Sequence, residues 1–459
     1  MTGNYGHENP PKVNSTPLGP GTVPFDVDNY PFALEGLELE QVHLYVRHGE
    51  RTPVRVRMAD PPASIPDRWN MCKTTRRFRA AVTSDIHQTS LLEATSDSAL
   101  PSEELPVRRV VERGDGSVVE SECLLGELTD IGRQHTYNFG IALRRLYVDK
   151  LGFLPDTVKS DAEVYFRSTN VPRTFESLHQ IVHGLYPINK CEDGYLPQLR
   201  IRNGRDENLF GNTAACRRLE ILEIGFAKAA AAAWNHALEP LDDKIGQYIG
   251  NNPVRLDGRP RASGIFDTVK SAMANNVSVP REFREKGVLD VIEKAIVHEW
   301  FGGYDSEEMR RLGMGRLLSD VSAKMQLKAS RGSNDSMRLL VHSTHDTTLA
   351  GICASLDVFD EKWPAFTSYI SFELFRQKDA VLLNQGYYWQ NVLSKLQRSG
   401  PGEFYVRMRY QNKDLRLPLC AEPGKHLPGH PEFCTLAAFR DRVKELTPVD
   451  WDAECFVEG

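Results

Sequence analysis

The sequence predicts an α/β protein built around a mostly parallel sheet. Three observations lead there. A short apolar strand, a polar loop and an amphipathic helix recur three times, the order from which parallel sheets are made. The strands Glu40–Val46, Ala162–Phe166 and Met337–His342 are β-branched and aromatic runs that stop abruptly in polar loops. The chain of 459 residues exceeds one small domain, and its 41% apolar share supplies a core and excludes wholesale disorder.

Residues 1–38 are rich in Gly, Pro and Asn and lack periodicity, which predicts an extended N-terminal arm. The first strand runs into Arg47-His48-Gly49-Glu50-Arg51-Thr52-Pro53, where Gly49 and Pro53 punctuate a loop. Residues 54–127 are irregular and read as an insertion. They hold a basic cluster (Arg68, Lys73, Arg76, Arg77, Arg79) and a hairpin in which Val107–Val111 and Val118–Val119 flank Gly114–Ser117. A helix starts at Thr129 or Asp130, carries Ile131, Phe139, Leu143 and Leu146, and ends by Gly152. After the second strand comes Arg167-Ser168-Thr169-Asn170-Val171-Pro172-Arg173-Thr174. Pro172 suits a first helical turn, and Phe175, Leu178, Ile181, Val182 and Leu185 follow at helical spacing. Residues 187–335 form one α-rich block, with helices near 216–249, 282–300 and 306–328. The third strand leads into Ser343-Thr344-His345-Asp346-Thr347-Thr348. Beyond it, Ser368–Arg376 and Phe404–Tyr410 alternate like antiparallel strands.

Composition narrows the function. Fifty-six Lys and Arg stand against 62 Asp and Glu, a net charge of −6, so no global basic field exists to hold a nucleic-acid backbone. Any anion site must be local. The most apolar stretch, Gly225–Trp234, is about half the length of a membrane span and contains Lys228. The first residues lack the apolar centre of a secretory signal, which favours an intracellular, cytoplasmic location; a secreted chain trimmed of its signal would read the same. The eight Cys show no metal-ligand spacing, and an even count fits disulfides or buried thiols alike. Asn14, Asn276 and Asn334 head glycosylation sequons that matter only in a secretory setting. No metal or cofactor is expected, and oligomeric state is not legible.

In parallel sheets the carboxyl ends of the strands gather in one crevice. Arg47, His48 and Arg51, then Arg173, then His345 and Asp346 lie at or just beyond such ends. Three Arg and two His in one crevice repel unless an anion joins them, and a phosphate dianion is that anion. The planar guanidinium fork makes paired hydrogen bonds to phosphate oxygens. A neutral imidazole at His48 can attack phosphorus, and the surrounding Arg charges lower its pKa and keep it neutral. Asp346 is the nearest candidate to protonate the leaving oxygen, which predicts turnover in acid. Singly these residues have bland explanations: a structural His, a surface salt-bridge Arg. Three motifs after three successive strands do not.

RHGERTP, RSTNVPRT and HDTT together resemble the histidine acid phosphatase branch of the histidine phosphatase superfamily, across about residues 40–440. Gly126–Gly132, FELF at 372–375 and YVRMRYQNKDLRLPLC at 405–420 resemble further family segments. Asn170 and Pro172 replace the usual acidic residues of the second motif. The resemblance implies a three-layer αβα sandwich with an α-rich cap. The core would be 39–186 and 336–459, the insertion 54–127 and the cap 187–335. It implies that Arg47, Arg51, Arg173 and His345 bind phosphate, that His48 is the nucleophile, and that Asp346 is the proton donor. The implied activity is metal-independent hydrolysis of small phosphate monoesters, lysophosphatidate among the candidates. Relatives often carry a disulfide where Cys420 and Cys434 sit; pairing here is left open. The alternatives are a phosphate-moving mutase of the same superfamily, against which the His-Asp pair argues, and an inactive phosphoester-binding scaffold, against which the complete residue set argues. The basic cluster reads either as a greeting surface for a polyanionic substrate or as a solvated face.

Overall fold

The apolar run before the first motif forms β1, Leu37–Arg47, whose last seven residues are all buried. The structure, a computed structural model, describes residues 23–73, 77–80, 105–108, 110–378 and 403–457. Asn14, Arg76 and most of the arm's first residues therefore lie outside the described residues. The other strands of the main sheet are β2 (Val164–Ser168), β3 (Leu199–Arg200), β4 (Leu339–Thr344), β5 (Tyr369–Gln377), β6 (Phe404–Tyr410), β7 (Lys413–Leu415), β8 (His426–Leu427) and β9 (His430–Thr435). Their order is β8-β9-β6-β5-β1-β4-β2-β3, with β7 on β6. Strands β1, β4, β2 and β3 run parallel. From β5 onward the sheet is antiparallel, as the alternating segments at 368–376 and 404–410 predict.

Both faces of this sheet are covered, because successive side chains of a strand point opposite ways. On one face Val42, Leu44 and Val46 of β1 join Phe139 and Leu143 of α1 (Asp130–Leu143) and Leu178 and Ile181 of α2 (Pro172–Leu185). Tyr45 points to the other face. There it meets the cluster of Ile370, Phe372, Leu317, Met325, Leu349 and Phe439. The helices α3 (Arg217–Leu238), α4 (Ala262–Ala274) and α5 (Val288–Phe301) form a further apolar cluster with Ile65 and Trp69. The helix α6 (Arg316–Arg331) instead supplies Leu317, Val321 and Met325 to the sheet's second face. The remaining helices used below are α7 (Asp346–Ser355) and α8 (Leu436–Leu446). No helix among the described residues is long and apolar enough to cross a membrane.

Several boundaries differ from the sequence reading for physical reasons. Strands β2 and β4 end two residues later than their apolar runs. The parallel register continues through Ser168 and Ser343, and Ser168, Ser343 and Thr344 are fully buried. The 107–119 hairpin is shorter, pairing Val111–Glu112 with Val118–Val119. Leu105–Arg108 instead pairs with Arg77–Ala80. The cysteine question is also answered. Cys72–Cys123, Cys216–Cys455 and Cys420–Cys434 are disulfides, while Cys191 and Cys353 are free.

Candidate active site

The carboxyl ends of β1, β2 and β4 are neighbours, so the three motifs meet. Arg47 is the last residue of β1, paired in register with Thr344 of β4. The loop that follows presses on the start of α1. A Cβ at Gly49 would overlap the backbone of Gly132, so only glycine allows this approach. Gly49 N–H donates to Ser177 Oγ of α2 at 3.0 Å. Asn275 fastens the same loop, its amide donating to Arg51 O at 3.1 Å and accepting from Thr129 Oγ1 at 2.6 Å. Thr129 is the N-cap of α1, as its sequence position predicts.

His48 is buried at the centre. Its Nδ1 lies 2.9 Å from Gly49 O. A carbonyl only accepts, so Nδ1 carries the proton and Nε2 keeps its lone pair. Burial first, then the charges of Arg173, Arg47 and Arg51, hold His48 well below the usual histidine pKa. The imidazole of His345 stands 5.7 Å away, edge to face. His345 Nε2 is 3.0 Å from Thr169 Oγ1, which in turn lies 2.7 Å from Thr174 Oγ1. Burial and Arg173 push His345 down to about 3.

The arginines surround these rings. Arg47 donates to Pro364 O at 2.5 Å and pairs with Asp346 at 2.7 Å. Arg51 pairs with Asp267 of α4 at 2.8 Å and donates to Thr52 O at 3.0 Å. Arg173 sits in the first turn of α2, where Pro172 starts the helix. Burial and then the charge of Arg51 lower it to about 10. The Nε–H groups of Arg47, Arg51 and Arg173 are all buried without an acceptor. Three guanidiniums thus face two carboxylates, with donors left over, and an anion satisfies both imbalances.

Asp346 opens α7, with His345 at its N-cap. Its carboxylate accepts from Trp363 Nε1 and from Thr347 N–H, each at 2.9 Å. Burial favours the protonated form, but Arg47 and Arg51 outweigh it and the carboxyl stays below the usual range. A cavity of about 1370 Å³ opens onto Arg51, Arg173, His345 and Asp346. All six residues singled out from the sequence therefore come together. Sequence reasoning missed Asp267, Ser271, Asn275 and Trp363. They are isolated residues on α4, just after it, or on the loop before β5, and no spacing signal marked them.

Known proteins bear on this geometry. Residues 38–411 match the histidine phosphatase superfamily (branch 2). A probable acid phosphatase of Schizosaccharomyces pombe is 34% identical, spanning 91% of this chain and 94% of its own. Human prostatic acid phosphatase is 25% identical over 72% of this chain and 79% of its own. Among solved structures, a Hafnia alvei phytase bound to tartrate aligns with TM-score 0.55 at 14% identity, covering 93% of this chain and all of that one. A Bifidobacterium longum multiple inositol polyphosphate phosphatase bound to phosphate aligns with TM-score 0.55 at 11% identity, covering 94% and 98%. These two likenesses speak to the fold alone, a mixed α/β sandwich. The match over most of the chain and the 34% relative speak to descent, and the chain belongs to branch 2 of the histidine phosphatase superfamily.

Proposed function

We propose that the chain is an acid phosphomonoesterase that passes the phosphoryl group through His48. One observation carries this reading: a buried, neutral imidazole with its Nδ1–H tied to Gly49, beside three arginines with unmet Nε–H donors. The acid phosphatase names of the relatives support the reaction class.

In the first step His48 Nε2 attacks phosphorus and the bond to the ester oxygen breaks. The leaving oxygen takes its electron pair and a proton from Asp346. The guanidiniums of Arg47, Arg51 and Arg173 follow the charge on the nonbridging oxygens. His345 exchanges the hydroxyl of Thr169 for a phosphate oxygen. In the second step water attacks, Asp346 takes its proton, and the nitrogen–phosphorus bond breaks. Asp346 starts ionised beside Arg47, so the donor must be made on binding. A phosphate dianion draws Arg47 toward itself and raises the carboxyl, and acid completes the protonation.

Helices α3 and α4 of the cap and residues 54–57 of the insertion border the cavity and are read as selecting the leaving group. Disulfide pairing and the exposed sequons at Asn276 and Asn334 support an oxidising, secretory compartment over the cytoplasm.

Hydrolysis of p-nitrophenyl phosphate in the presence of chelator tests the reaction. His48→Ala should lose at least about a thousandfold in kcat. A single turnover of a labelled ester, quenched in alkali, should leave label on the chain. Unchanged turnover in His48→Ala removes the mechanism, and label arriving on an acceptor hydroxyl rather than in phosphate marks a mutase.

A further inference from the structure

Beside the catalytic cavity lies a second one of about 420 Å³. The two share Phe210, Ile224, Ala227, Arg261, Trp300 and Thr347 in their walls. Phe210 stands between them, its ring 5.9 Å from that of His345, and Thr347 follows Asp346 directly. A leaving group attached to phosphate at His48 therefore has this side cavity within its surroundings.

The lining has an unusual chemistry. Five aromatic residues enclose it: Phe210, Phe226, Trp300, Phe301 and Tyr304. Two carboxylates, Glu223 and Glu299, and a single cation, Arg261, are the charged members. Arg261 is already committed, pairing with Glu299 Oε1 and donating from Nε to Leu256 O. The other oxygen, Glu299 Oε2, is buried without a hydrogen-bond partner, and the side chain is only 2% exposed. Glu223, one turn before Ala227 on α3, forms no ion pair among the described residues. Burial and the neighbouring Glu220 hold its carboxyl up at about 7, as expected of an acid with no cation beside it.

An aliphatic chain would suit aromatic walls but leave Glu223 and the second oxygen of Glu299 without a cation. A second phosphate would find the lining cation, Arg261, already paired and two acidic side chains beside it. An ammonium answers both: ring faces attract cations, Glu299 Oε2 offers an unmatched oxygen, and a cation beside Glu223 draws its raised carboxyl back down so that it ionises. We propose that this side cavity binds a cationic ammonium group on the leaving group of the substrate, making the enzyme selective for amine-bearing phosphate monoesters. The proposal rests on the phosphatase reading of the neighbouring site and assigns Glu223, Glu299 and the aromatic wall to specificity.

The test is a pair of ester series with linkers of about two to eight carbons, one ending in trimethylammonium and the other in the isosteric tert-butyl group. Activity on p-nitrophenyl phosphate is the control. At the best length the cationic ester should exceed its neutral partner by about tenfold in kcat/KM. Glu223→Gln and Glu299→Gln should bring that ratio toward one without altering turnover of p-nitrophenyl phosphate. Equal kcat/KM for the two series at every length overturns the proposal, as does a preference that survives both substitutions. Calorimetric binding of the same ester pairs separates the two readings. Tighter binding of the cationic ester, lost in Glu223→Gln, upholds the cavity assignment even if p-nitrophenyl phosphate is not hydrolysed, an outcome that sinks only the phosphatase reading. Equal binding of both esters by a chain that does hydrolyse it sinks only the cavity assignment.

Discussion

The pair between Arg47 and Asp346 does two things at once. It lowers the repulsion among three guanidiniums, and it keeps Asp346 ionised, the wrong state for the proton donor proposed above until phosphate draws Arg47 away. Asp346→Asn separates these roles. Phosphate-free protein should lose about 3 kcal/mol, because Arg47 is left buried beside a neutral amide. Added phosphate should return part of that loss, which a denaturant titration with and without phosphate will show. Turnover of alkyl esters should fall about a hundredfold or more, and of p-nitrophenyl phosphate much less, because nitrophenolate leaves without a proton. An equal fall for both esters contradicts the donor role. The pH sense follows from the direction of the shift. A carboxyl depressed in the fold stabilises it above the unfolded carboxyl pKa and loses that effect as pH falls through the folded one. Arg47, His48, Arg51, Arg173, His345 and Asp346 were legible because each motif is contiguous and ends a strand. Asp267 was not, because only the packing of α4 brings it to Arg51.

At the scale of elements, α2 sets the position of Arg173, and its crossing with α1 sets α2. The two helices touch through Gly140 and Gly184. A Cβ on Gly184 would overlap the carbonyl oxygen of Tyr137, and one on Gly140 that of Ile181. Gly184→Ala should therefore push the helices apart at a cost of about 1–3 kcal/mol. Arg173 lies three turns from the crossing on the same helix, so KM should rise while the pH profile of kcat keeps its shape. Loss of stability with KM unchanged would show that the loop before α2 fixes Arg173 by itself. The helix α2 was legible from Pro172 and the spacing of its apolar residues. The parallel strands were legible too, but their last residues were not, because Ser168, Ser343 and Thr344 are polar groups buried by sheet register. The helix α4 was not singled out within the α-rich block, although Asp267 and Ser271 on it touch Arg51.

The whole molecule must survive where its chemistry is best. His48 and His342 are held well below the usual histidine range, and His43 and His345 at about 3, burial being the first cause for each. In the unfolded chain these groups bind protons near pH 6.5. Between about pH 6.5 and 3 the unfolded state thus holds more protons, and stability falls as pH falls through that window. The slope reaches about 1.4 kcal/mol per pH unit for each such histidine. The disulfides oppose this from the unfolded side. Cys216–Cys455 ties the start of α3 to the end of the chain across a separation of 239 residues, a closure that can contribute up to about 5 kcal/mol. Phosphate should oppose it from the folded side, since the proposed site exists only in the native chain. The oxidised protein should therefore melt at a lower temperature at pH 5 than at pH 7, with phosphate narrowing the gap. A Cys216→Ala/Cys455→Ala double variant should fail first in acid, keeping its activity at pH 7 under conditions where it loses it within a pH 5 incubation. A melting temperature that stays level from pH 7 to 5, and level too in Glu223→Gln, which removes a carboxyl that gains its proton on the folded side near pH 7, would mean that these histidines take up protons in the native state. His48 would then be a cation at the pH of turnover and could not attack phosphorus, so the thermal measurement bears on the mechanism as directly as the kinetic one.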